Sequence, residues 1–146
     1  MKVDVTTGAV IGRPKDEVSS YAGDPTNAPA WYSNIDSVRW KTQPPLRVGS
    51  RMAFVARFMG RRLEYVYEVV ELIPQERLVM RTTDGPFGME TTYAWEDIGH
   101  GRTRMSIRNR GEPSGFAAIG SPVMSAAMRR ANVKDLMRLK QILERR

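Results

Sequence analysis

Residues 50–72, with the sequence SRMAFVARFMGRRLEYVYEVVEL, carry the pattern that decides the fold. Apolar and aromatic residues alternate with other residues at a period of two, which is typical of paired strands with one buried face. Gly60-Arg61 fits a two-residue hairpin turn with Gly at its first central position. This turn predicts a register in which apolar residues face one another, in the pairs Phe58–Leu63, Ala56–Tyr65 and Phe54–Tyr67.

Other parts of the chain have similar alternation. Further strands are predicted at Lys2–Ile11, Ile35–Trp40, Leu78–Thr82, Met89–Glu96 and Arg102–Asn109. The last two are expected to form a second hairpin, with charged cross-strand pairs on its outer face that set its register. The expected pairs are Glu96–Arg102 and Glu90–Arg108. Residues Gly111–Gly120 are predicted to form a loop or a short turn of helix.

Three helices are predicted around this sheet. Pro14 suits the first position of a short helix, and Asp24-Pro25 suits the start of a second short helix or turn. Ser121-Pro122 begins the long last helix, with Ser121 expected as its cap. This helix has an apolar stripe at spacings of three to five residues, formed by Met124, Met128, Ala131, Leu136, Leu139 and Leu143.

The order of these elements predicts an α+β fold. A sheet with one apolar face needs a cover, and the C-terminal helix is the long amphipathic element that can supply it. We therefore expect a curved antiparallel sheet wrapped around that helix, with two short N-terminal helices closing one end. The length of 146 residues, with 41% hydrophobic and 27% charged residues, fits one domain over residues 1–146.

The chain resembles the START-like (SRPBCC) superfamily of helix-grip proteins, which includes polyketide cyclases, plant pathogenesis-related allergens and lipid-transfer domains. The matching stretches are Val10–Pro14, Tyr21, Asp24-Pro25, Trp31, Pro45–Ser50, Val69–Pro74, Arg77-Leu78 and Thr91–Glu96, together with the closing helix. The resemblance implies a hydrophobic cavity between the sheet and the C-terminal helix that holds a lipid-like or polyaromatic ligand. Because this scaffold hosts carriers, cyclases, hydrolases and regulatory proteins, the resemblance leaves the activity open.

Ten inward-facing side chains are the predicted ligand-binding residues. They are Phe54, Phe58, Tyr65, Tyr67, Met89, Tyr93, Trp95, Met105, Met124 and Met128. The same pattern is compatible with a solid core. Methionines make adaptable apolar walls, and buried tyrosine hydroxyls need partners that a ligand or water could supply, so both features favour a cavity. The first functional hypothesis is the binding of a hydrophobic or aromatic small molecule.

Composition excludes several kinds of chemistry. There is no Cys and only one His, which rules out disulfides, thiolate catalysis and His-rich metal sites. No cofactor or metal is expected, and no catalytic residue is assigned. His100, between Gly99 and Gly101, is either an acid or base at a pocket mouth or a solvated turn residue. The second hypothesis is a cofactor-free polyketide cyclase or aromatase that orients its substrate with inward tyrosines.

The net charge of +7 is concentrated near the C-terminus, where residues 122–146 have seven basic and two acidic side chains. Arg130, Lys134 and Arg138 recur every four residues and form either a solvated helix face or a surface for RNA, a ribosome or anionic lipid. An interaction protein using this face is the third hypothesis. No transmembrane segment is predicted, a cytoplasmic location is expected, and homodimer formation stays open.

Overall fold

The computed structural model describes residues 2–84, 88–112 and 119–146. Within these residues the strands are β1 (Val3–Ile11), β2 (Ile35–Trp40), β3 (Arg51–Phe58), β4 (Arg61–Ile73), β5 (Arg77–Asp84), β6 (Gly88–Gly99) and β7 (Arg102–Glu112). The α-helices are α1 (Lys15–Ala22), α2 (Ala28–Trp31) and α3 (Ser121–Glu144), with a short 3-10 helix at Pro25–Asn27. Most of the predicted Gly111–Gly120 loop lies outside the described residues, and β7 occupies its first two positions.

The strands form one antiparallel sheet in the order β1-β7-β6-β5-β4-β3-β2. Strands β2 to β7 follow one another as a meander, and β1 joins the edge beside β7. The sheet curves around α3, and the short helices α1 and α2 lie at one end of the sheet. The predicted α+β helix-grip fold is therefore confirmed.

The first hairpin has a register that differs from the predicted one by two residues. Its turn is Met59-Gly60, and the positive φ values of 52° and 78° are those of a type I′ turn. The predicted turn at Gly60-Arg61 is therefore wrong, and Phe54 faces Tyr65 instead of Tyr67. A shift by two preserves the alternation of side chains, so every residue remains on its predicted face.

The second hairpin also has a register that differs from the predicted one by two residues. Glu96 pairs with Arg104 and Glu90 pairs with Arg110, so the predicted partners Arg102 and Arg108 are wrong. The cause is a tighter turn, in which His100 and Gly101 have φ values of 58° and 67° and a bulge precedes them at positions 97–99.

The helix starts agree only in part with the sequence predictions. Asp24 caps the 3-10 helix as expected, since its Oδ1 accepts a hydrogen bond from the Thr26 backbone N–H at 3.0 Å. Ser121 does not cap α3, because it is the first helical residue and its hydroxyl donates to the Lys2 carbonyl. The residue before the helix is Gly120.

The two halves of α3 have different surroundings, and this difference positions the site. The C-terminal half buries Leu136, Leu139 and Leu143 in a core that also contains Trp31 and Met105. The N-terminal half carries Met124 and Met128, which pack with other residues at the opposite end of the sheet. Large branched side chains fill the first region, whereas alanine, asparagine and flexible methionine side chains leave space beneath the second.

Candidate ligand-binding cavity

A cavity of about 140 Å³ lies between the sheet and the N-terminal half of α3. The sheet contributes apolar side chains from β3, β4, β5 and β6, and residues of α1, α2 and the following segment close the end near Tyr32 and Ile35. On the helix side the lining includes Met124, Met128 and Ala131. A concave apolar space with a few polar groups is the usual form of a small-molecule site.

Eight of the ten predicted ligand-binding residues line this cavity. Those on the sheet are Phe54, Phe58, Tyr65, Tyr67, Met89 and Tyr93, and those on α3 are Met124 and Met128. Trp95 and Met105 do not line it. Both are buried in the core beneath the leucine-rich half of α3, on the same sheet face but farther along it.

An aromatic cluster forms the wall of the cavity on β3 and β4. The rings of Phe54 and Tyr65 stack with their centroids 5.5 Å apart and their planes at 15°, as expected for residues that face each other across the strands. Tyr67 meets Tyr65 edge to face, at a centroid distance of 5.2 Å. These contacts hold a flat aromatic surface toward the cavity.

A chain of hydrogen bonds crosses the sheet side of the cavity. The Thr91 hydroxyl donates to Asn109 Oδ1 at 2.8 Å, and the Tyr67 and Thr91 hydroxyl oxygens are 2.7 Å apart. Because Thr91 uses its one proton on Asn109, Tyr67 is the donor in the second bond. Burial raises the pKa of Tyr67 to about 12, so this hydroxyl is neutral at physiological pH.

A second polar pair lies at the end of the cavity near α2. The hydroxyl groups of Tyr32 and Tyr93 form a short hydrogen bond. Burial is the main cause that raises the pKa of both tyrosines, and the neighbouring hydroxyl raises that of Tyr32 further. The two groups therefore stay protonated and can orient a ligand by hydrogen bonding, but they do not act as anionic bases.

Asp135 places a carboxyl group at the edge of the same region. The side chain is buried, with a residue exposure of 1%. Its Oδ1 accepts hydrogen bonds from the backbone N–H and the hydroxyl of Ser33, at 3.0 and 3.1 Å. Burial raises the pKa of Asp135, while the bonds from Ser33 act in the opposite direction. These bonds also tie α3 to the segment after α2.

The sequence predictions missed most of the polar lining, which includes Tyr32, Thr91, Asn109, Asn132 and Asp135. On α3 a signal was present. Asn132 and Asp135 continue the spacing of Met124 and Met128 and therefore lie on the inner face of the helix. On the sheet, Thr91 lies two positions from Met89 and two from Tyr93, so its inward position also follows from the period of two.

Other candidates from the sequence lie away from the cavity. His100 is exposed in the turn between β6 and β7. Arg130 and Lys134 are exposed on α3, whereas Arg138 donates from Nε to the Ala30 carbonyl at 2.6 Å. Across the described ranges, no group of three or more acidic or histidine side chains could hold a metal ion. None of the helices described here is long and apolar enough to cross a bilayer.

Comparisons with solved structures place the fold among known ones. An aromatase/cyclase, Zhui, from Streptomyces sp. R1128 matches with a TM-score of 0.81 at 14% identity, over 100% of this chain and 96% of that chain. A START superfamily protein from Mycobacterium smegmatis matches with a TM-score of 0.83 at 12% identity, over 97% of each chain. The major latex-like protein 151 of Panax ginseng matches with a TM-score of 0.72 at 12% identity, over 98% and 95%.

Sequence comparison gives a family. No curated protein matches this chain. The sequence model of the family described as polyketide cyclase / dehydrase and lipid transport matches residues 2–144, which is nearly the whole chain. The protein therefore belongs to the polyketide cyclase / dehydrase and lipid transport family.

Proposed function

We propose that this protein binds a hydrophobic, aromatic small molecule in the cavity between the sheet and α3. The observation that carries this proposal is the apolar space itself, with its aromatic wall on one side and its methionines on the other. The core of a folded protein contains few voids larger than a water molecule, so an apolar space between the sheet and α3 needs an explanation. A ligand supplies one.

The size of the cavity restricts the ligand. The volume of about 140 Å³ is similar to the ~150 Å³ of an engineered apolar cavity that admits benzene. One aromatic ring fits without rearrangement. Met80, Met89, Met124 and Met128 line the space, and their flexible side chains can move to admit a second ring or an alkyl chain.

The chemistry of the lining favours binding by shape over binding by charge. Flat rings can stack on Phe54 and Tyr65, and the tyrosine hydroxyls are neutral. Membership of a family described by polyketide cyclases and lipid transport agrees with a hydrophobic ligand. One solved structure with this fold is named as an aromatase/cyclase, an activity that concerns that protein.

The proposal is tested with 1-naphthylamine, a neutral two-ring probe whose fluorescence emission shifts to shorter wavelength in apolar surroundings. We expect saturable binding at one probe per chain. The variant Met128→Arg brings a charge to the cavity wall and should weaken binding at least about tenfold, because an apolar ligand that packs there must displace water from the charged group. Val133→Arg is the matched control, since Val133 lies on the same helix and is 49% exposed.

Two results count against the proposal. One is the absence of saturable probe binding to the wild-type protein. The other is equal binding by Met128→Arg and wild type, when circular dichroism shows that the variant is folded. If Val133→Arg also loses binding, the effect of Met128→Arg reflects added charge on the helix and not the cavity.

A further inference from the structure

Asn132 lines the cavity and carries a side-chain N–H donor that has no hydrogen-bond partner among the described residues. Its side chain lines the space from the middle of α3, and the residue is 6% exposed. This donor is the buried amide nitrogen Nδ2. A buried polar group without a partner is costly, because it loses its bonds to water on folding, and of the four such atoms in the described chain this is the one whose residue lines the cavity. A bound molecule can provide the missing acceptor.

Five other polar side chains around the cavity are already engaged with one another. Tyr67 donates to Thr91, and Thr91 donates to Asn109. The hydroxyls of Tyr32 and Tyr93 bond to each other. A ligand atom that accepts a hydrogen bond can therefore bind at Asn132 without breaking any of these contacts.

The charges around the cavity restrict the nature of that acceptor. Within the described chain, the lining contains no Lys, Arg or His side chain. It does contain the carboxyl group of Asp135, which lies one helical turn after Asn132 on the same face. An anionic ligand group would lose its hydration without gaining a positive partner, and it would lie near a second acidic group.

From this arrangement we infer that the cavity selects a neutral aromatic ligand carrying a carbonyl oxygen, which accepts a hydrogen bond from Asn132 Nδ2, and that it rejects carboxylates. The inference rests on the proposed function, because it names the chemical class of ligand for the same cavity. It assigns Asn132 as a specificity-determining binding residue. Free fatty acids and aromatic acids are then poor ligands.

Three compounds with one ring system test this inference by equilibrium dialysis. They are 1-ethylnaphthalene, 1-acetylnaphthalene and 1-naphthoate, which differ in having no acceptor, a neutral carbonyl and a carboxylate. The measured quantity is the affinity for the ketone divided by the affinity for the hydrocarbon. We expect Asn132→Leu to lower this ratio about tenfold, since the variant keeps a similar side-chain volume and lacks the donor.

Further variants keep the test independent of the fold of Asn132→Leu. Asn132→Ala removes the same donor and should lower the same ratio, even if the larger space changes both affinities. Val133→Leu, one residue along the helix on the exposed side, should leave the ratio unchanged. For the wild type, 1-naphthoate should bind at least about 100-fold more weakly than the ketone.

The outcomes separate this inference from the proposed function. If the hydrocarbon and the ketone bind and their ratio is the same in wild type, Asn132→Leu and Asn132→Ala, the role of Asn132 is refuted while the cavity remains a binding site. If 1-naphthoate binds as tightly as the ketone, the rejection of carboxylates is refuted. If none of the three compounds binds, the proposed function fails, and this inference fails with it.

Discussion

Thr91→Val is the most informative single change in the cavity wall. The substitution keeps the shape of the side chain and removes one hydroxyl, which takes part in bonds of 2.7 Å to Tyr67 and 2.8 Å to Asn109. The Tyr67 hydroxyl then lacks an acceptor, and Asn109 Oδ1 lacks a donor. A buried polar group left unsatisfied costs about 1–3 kcal/mol, and because both bonds are only partly buried we expect a total loss of about 2 kcal/mol in the free energy of unfolding.

The loss of stability in Thr91→Val is compared with that in a second variant, Tyr67→Phe. It removes the end of the chain of bonds and leaves the bond from Thr91 to Asn109 intact, so it should cost about 1 kcal/mol. In the double variant the unsatisfied tyrosine hydroxyl is absent, and the total loss should be less than the sum of the two single losses. Urea unfolding followed by circular dichroism measures all three. The reasoning is refuted if Thr91→Val costs no more than Tyr67→Phe, or if the two losses are additive.

Three other substitutions test separate features by urea unfolding. Burial raises the pKa of Asp135 in the folded protein. The stability of the wild type therefore falls as the pH rises from about 4 through this raised pKa. Asp135→Asn should remove this pH dependence and be at least as stable as wild type at pH 7. Lys140 and the Gly12 N–H lower the pKa of Glu144. The ionised side chain therefore stabilises the fold at neutral pH, and this stabilisation is lost as the pH falls below about 4. Glu144→Gln should lower the free energy of unfolding by about 0.5–1 kcal/mol at pH 7 and by less at pH 3. Gly60 has a φ of 78°, and Gly60→Ala should cost about 1 kcal/mol, whereas a neutral result would contradict the type I′ turn.

The sheet faces were predictable because alternation survives an error in register. The side chains of Phe54, Tyr65 and Tyr67 all point inward whether the turn is at Gly60-Arg61 or at Met59-Gly60. The choice between these turns was not predictable from alternation alone. It depends on a positive φ at Met59, a conformation that residues other than glycine adopt less readily.

The boundary between core and cavity could not be read from the period of two. Trp95 and Met105 share a sheet face with Tyr93, but they lie beneath the leucines of α3, whereas Tyr93 reaches the open space. That distinction depends on which part of α3 covers each strand. Alternation in the sequence predicts which face of the sheet a side chain lies on, but it does not predict which part of α3 covers that side chain.

The polar contacts of the cavity join segments that are far apart in the sequence. Ser33 and Asp135 are separated by 102 positions, and Tyr32 and Tyr93 by 61. No local pattern pairs such residues, because their proximity follows from the packing of α2 and α3 against the sheet. The inward direction of Asn132 was predictable from helical spacing, whereas its lack of a partner became evident only in the folded structure.

The binding of an aromatic ligand inside the cavity is the central claim, and methionine methyl NMR tests it most directly. An aromatic ring shifts the resonances of methyl groups that lie close to it. With 1-acetylnaphthalene at saturation, we expect large shifts for the methionines that line the cavity on the sheet and the helix, namely Met52, Met80, Met89, Met124 and Met128. Met59 and Met137, which are 43% and 45% exposed, should not move. Shifts at these two exposed methionines alone, or no shifts at all, would contradict the account.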